Sequence, residues 1–185
     1  LIRGRSNDDT LSGGADNDTI YGDSGADSVD GGAGNDLITG RSGQDTLLGN
    51  DGTDTIFGGS GRDSIRGGNG ADFIRGNQGS DSLFGDADND TIIGGAGRDS
   101  ISGGDDDDSL VGSAGSDGIN AGAGADIVNG LSGADSILGL TGNDTLNGGS
   151  SGDVLIGGDG DDDLTGAGGT DTLAGGEDAG DTFDD

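Results

Sequence analysis

The chain has 185 residues, of which 47 are Gly, 27% are apolar, and four Phe and one Tyr are the only aromatics. Thirty-seven acidic residues against seven Arg leave a formal charge of −30. A polyanion so poor in apolar residues has the composition of a disordered chain; its charge excludes nucleic acid and anionic lipid as partners and favours cations. With no Cys and no His there is no disulfide, thiol nucleophile, Ser-His pair or zinc-thiolate site. No apolar run approaches the roughly twenty residues of a membrane span, and no signal peptide is visible. The chain opens on Leu1-Ile2, already inside a repeat, and is expected to be an excised segment.

Periodicity overrules that composition. Asp stands at every ninth position: Asp9, Asp18, Asp27, Asp36, Asp45, Asp54, Asp63, Asp72, Asp81, Asp90, Asp99, Asp108, Asp117, Asp126, Asp135, Asp144, Asp153, Asp162 and Asp171. Two residues after each comes Leu, Ile or Val, from Leu11, Ile20 and Val29 to Leu155, Leu164 and Leu173. The unit is Gly-Gly-x-Gly-x-Asp-x-U-x, with U apolar, and it is clean in Gly31 to Thr39 and Gly94 to Ser102. Its first Gly fails only at Ala121, and its third is replaced at Asp16, Asp88, Asp106 and Ser151. The second is loosest, as at Asp23, Arg41, Asn77, Leu131 and Leu140. Residues 1–185 therefore read as a single roll of about twenty repeats, with an irregular last one at 175–183 where the frame slips by one.

Each unit divides in two. The Gly-rich half cannot hold a helix, since each Gly costs roughly 1 kcal/mol there, and it marks turns needing positive φ, above all at the third Gly. The three residues after each Asp are β-prone and read as a very short strand whose middle residue, U, points to one face. So short a strand needs neighbours. If the chain reverses at every loop, eighteen residues make one coil, and parallel stacking gives two facing sheets with all U residues inside.

One apolar side chain in nine residues falls well short of the entropy of ordering a Gly-rich chain. Stacking also aligns the Asp carboxylates in columns, a repulsive arrangement unless a cation lies between them. Ca²⁺ meets that need, because it accepts six to eight oxygens from carboxylates and backbone carbonyls in forgiving geometry; Mg²⁺ holds its waters and demands a tight octahedron. One ion between each two loops of an edge gives about seventeen, whose charge nearly balances the chain's −30. The run Asp105 to Asp107 beside Asp108 reads as solvated loop charge, and the Asn-Asp-Thr sequons at Asn17, Asn89 and Asn143 as by-products of the repeat.

The nonapeptide and its nineteen in-frame copies closely resemble the RTX (hemolysin-type) calcium-binding repeat family. The resemblance implies an all-β parallel β-roll, a right-handed β-solenoid with Ca²⁺ between successive loops. The aspartates named above would be its side-chain ligands, and carbonyls such as those of Gly31 to Gly34 would complete the shell. It also implies a bacterial extracellular protein, secreted by a type I system and folding on meeting calcium. The expected role is structural and not enzymatic: a surface-layer, filament or adhesin component, which about twenty repeats without an attached domain favour if the chain is complete. The alternative is a C-terminal folding and secretion module of an enzyme or toxin lying outside this chain. Tyr21, Leu37, Phe57, Phe73, Ile93, Val111 and Ile127 are expected to line one outer sheet face, a candidate surface for self-association or a neighbouring domain.

Overall fold

A computed structural model of the protein describes residues 1–176 and 180–184. Strands recur every nine residues, from β1 (Ile2–Ser6), β2 (Thr10–Ala15) and β3 (Thr19–Ser24) to β20 (Thr172–Gly176) and β21 (Thr182–Asp184). The odd-numbered strands form an eleven-stranded sheet and the even-numbered strands a ten-stranded one. All pairings are parallel, and partners such as Thr19 and Leu37 or Ile20 and Ile38 lie eighteen residues apart. The fold is thus an all-β solenoid of about ten turns, eighteen residues to the coil.

The strands differ from expectation in length: most have six residues, not three, and run from the residue after Asp through the Gly pair. Gly usually weakens a strand. Here its backbone is paired on both sides, and the positions demand what only Gly gives easily. The inward set on each strand is U and the first Gly; Ile20 and Gly22 are buried on β3, while Thr19 and Tyr21 point outward. Positive φ is found at the third Gly, as expected (Gly34, +120°), including its substitutes Asp88 (+74°) and Ser151 (+104°). It is found at the second Gly as well, so Leu131 (+72°) and Leu140 (+84°) occupy backbone that bulky residues rarely adopt.

The core is one side chain wide in each sheet. Every U residue from Ile20 to Leu164 is at most 2% exposed, and Ile2, Leu11 and Leu173 pack against the ends of this ladder. Each buried side chain contributes roughly 1.5–3 kcal/mol. At the slipped last repeat the pairing offset becomes nineteen, so that Phe183 stands opposite Leu164; Glu177, Asp178 and Ala179 of that repeat lie outside the described residues. No helix long and apolar enough to cross a membrane is found among the described residues.

The seven apolar residues of the outer stripe fall on successive strands of the eleven-stranded sheet, from β3 to the strand Ile127–Ser132. Its aromatic members lean on one another or on arginines. Tyr21 lies between the guanidinium groups of Arg3 and Arg41, at 4.6 and 4.8 Å, and the rings of Phe57 and Phe73 are 5.9 Å apart. All are half-buried except Ile127, which is 60% exposed.

Candidate metal centre

The alternation of sheets sorts the repeat aspartates into two columns. Asp9, Asp27 and Asp45 begin one edge of the roll, and Asp18, Asp36 and Asp54 the other. Each carboxylate is tied to the coil before it. The amide of Asp9 donates to Asp27 Oδ1 at 2.9 Å and that of Asp36 to Asp54 Oδ1 at 2.7 Å; the pattern continues to the amide of Asp153, which donates to Asp171 Oδ1. The backbone is fixed by the same step, since the amide after each Asp donates to the carbonyl of the Asp one coil earlier, as Ser28 does to Asp9 O at 2.8 Å.

The second oxygen has no such partner. On Asp9 and on every repeat aspartate from Asp27 to Asp153, Oδ2 is buried without a hydrogen bond, and the repeat aspartates from Asp27 to Asp162 are themselves at most 3% exposed. The first Gly of each loop makes room for that atom: a Cβ at Gly22 or Gly85 would overlap Oδ2 of Asp27 or Asp90. Carbonyls share the interval between loops. A Cβ on Gly43 would overlap Gly25 O, and one on Gly13 would overlap Gly31 O.

A buried carboxylate oxygen without a donor is costly. Burial raises Asp72, Asp90 and Asp108 to about 7 and Asp63, Asp99 and Asp144 to about 6; the amide hydrogen bond opposes the rise, and neighbouring carboxylates add to it. Three acidic side chains converge nowhere among the described residues. A cation held here would therefore draw on one or two carboxylates and on main-chain carbonyls, a hard all-oxygen donor set of the kind Ca²⁺ accepts. The aspartates from Asp27 to Asp153 fit that ion: their Oδ2 atoms are aligned, desolvated and without donors.

All nineteen aspartates expected from the sequence fall in these two columns. A twentieth was missed. Asp181 accepts the Asp162 amide at 3.1 Å across the nineteen-residue offset, and its Oδ2 occupies the space at Gly175. The signal was present, because Asp181-Thr182-Phe183 repeats Asp-x-U one residue late.

A family model of the RTX calcium-binding nonapeptide repeat, built on four copies, matches the chain in overlapping windows from residues 3–38 to 147–181. The windows span nearly the whole chain, and the protein belongs to this family, whose repeats bind calcium. No curated protein matches it.

Proposed function

We propose that the chain is a calcium-loaded structural roll of a secreted bacterial protein, working as a surface-layer, filament or adhesin component and not as an enzyme. The observation that carries this reading is the pair of carboxylate columns, in which Oδ2 of every repeat aspartate from Asp27 to Asp153 is buried without a donor. Asp9 through Asp171 at nine-residue steps, and Asp181, would hold the ions together with carbonyls of the Gly-rich loops, about seventeen ions in all. Bound calcium supplies positive charge between carboxylates that otherwise repel and cannot be solvated. The roll folds when that charge is supplied, because its thin apolar ladder cannot order the chain alone. Secretion is the habit of the family, and millimolar calcium outside the cell suits such a switch.

Circular dichroism and small-angle scattering test the reading. At pH 8 in chelator the chain is expected to be extended and coil-like; millimolar Ca²⁺ should give a compact β-rich form, and equal Mg²⁺ far less. A chain that is compact and β-rich in chelator at that pH would overturn it.

A further inference from the structure

The two edges of the roll carry opposite extra charge. Ends of odd strands, and the loops that follow them, make one edge; ends of even strands and their loops make the other. Setting the repeat aspartates aside, the first edge carries Arg5, Arg41, Arg62 and Arg98 with two aspartates, Asp8 and Asp23. The second carries nine aspartates, among them Asp51, Asp88 and the run Asp105 to Asp107, and no cation among the described residues. The segregation is invisible in the linear sequence and appears only when alternate repeats are separated.

The arginines of the first edge are not all spent inside the molecule. Arg41 pairs with Asp23 at 2.7 Å, but Arg62 and Arg98, both exposed, form no ion pair among the described residues. They stand two coils apart, about 10 Å at sheet spacing, beside an open hollow lined by Ser80, Ser82 and Ser100. On the second edge Asp105, Asp106 and Asp107 are likewise exposed and, among the described residues, pair with no cation.

From this arrangement we propose that the arginine edge of one roll docks on the acidic edge of a second copy, joining rolls side by side. Both edges share one coil pitch, so a copy displaced sideways without rotation meets its neighbour coil by coil. In that register the loop of Arg98 faces the loop of Asp105 to Asp107, the end of the strand bearing Arg41 faces Asp51, and Arg5 faces Asp16. A second, independent feature falls into the same register. Leu131 and Leu140, 45% and 44% exposed on unfavourable positive-φ backbone, lie on one coil at opposite edges, so the same displacement brings their loops together. The contact is heterologous and does not close on itself, and it builds open rows one roll thick. It deepens the structural reading above and depends on it only in needing a folded roll.

Sedimentation velocity on the full chain in saturating calcium tests the edges. The parent should associate at low ionic strength and dissociate as salt shortens the screening length below about 10 Å. Arg62→Glu/Arg98→Glu and Asp105→Arg/Asp106→Asn should each weaken association at least tenfold, and mixing the two variants should restore it. The milder Arg62→Ser/Arg98→Ser pair should weaken it in the same direction. A folded parent that stays monomeric at tens of micromolar would overturn the proposal. So would loss in the arginine variant alone, which would mark that edge as a site for some other polyanion, or loss only in Phe57→Ser/Phe73→Ser, which would place the contact on the sheet face. Circular dichroism of the same samples at pH 8 in calcium and in chelator reads the calcium requirement separately: a roll that folds without calcium at that pH counts against that reading and leaves the edges to be judged by association.

Discussion

Ser151→Gly should stabilise the calcium-bound roll. Ser151 sits at φ +104°, farther from the left-handed well near +57° than the other substitutes at its position, Asp16, Asp88 and Asp106. A side chain in this region costs roughly 1–2 kcal/mol. Gly removes that cost but adds freedom to the unfolded chain, worth about 0.4–1 kcal/mol the other way. The Ser151 hydroxyl makes no hydrogen bond that would be lost. The net gain is about 1 kcal/mol, which for a chain of this size raises the melting temperature by roughly 2–4 °C. Thermal unfolding followed by circular dichroism at saturating calcium measures it. Asp88→Gly is the internal control and should gain less, since Asp88 sits at +74° and its Oδ2 accepts the Gly70 amide at 3.0 Å. An unchanged or lower melting temperature for Ser151→Gly would refute the strain argument.

The opposite change should hurt at the first Gly. In Gly85→Ala the methyl would overlap Asp90 Oδ2 and come within 2.6 Å of Gly103 O; a loss of roughly 1–3 kcal/mol and weaker calcium binding by titration are expected, with Ala121, buried at the equivalent position, showing that the roll survives one such methyl. Acid should partly replace calcium. Carboxylates such as Asp72 and Asp90, at about 7 in the metal-free roll against 3.8 ordinarily, favour the folded form fully below the ordinary value and lose that contribution as pH rises through about 7. In chelator, β-sheet ellipticity should therefore grow as pH falls from 8 towards 4, and a flat profile would count against the buried-carboxylate picture. Asp181→Ala should loosen only the last coil, seen as faster amide exchange at Thr182 to Asp184, while Asp181→Asn keeps the Oδ1 acceptor for the Asp162 amide and should exchange as the parent does.

Much of this fold was legible because one signal was repeated nineteen times. The period placed Asp27 and Ile38 in their columns, and the alternation of sheets followed from the need of a short strand for neighbours. What escaped was what Gly does in context. Read alone, Gly31-Gly32 ends a strand; in the roll, Gly31 is the inward gap beside the Asp36 carboxylate and Gly32 a positive-φ residue still in the ladder. Leu131 and Leu140 were visible only as imperfect copies, since nothing in a pattern of substitutions shows the φ they must adopt. Asp181 escaped because strict periodicity was the very rule that found the others.

The eighteen-residue coil also sets which changes of length the protein can absorb. Loss or gain of one nonapeptide leaves every Asp and every U in frame, so the strands still form. Yet it transposes all that follows: each later strand moves to the opposite sheet, and each later loop to the opposite margin. Removing nine residues just after Arg41 would carry Arg62 and Arg98 across to the side of Asp16 and bring Asp51 and the run Asp105 to Asp107 over to the other. Removing eighteen merely shortens the rod. Chemically the chain counts in nines, but duplication and deletion that preserve its two-sidedness must count in eighteens.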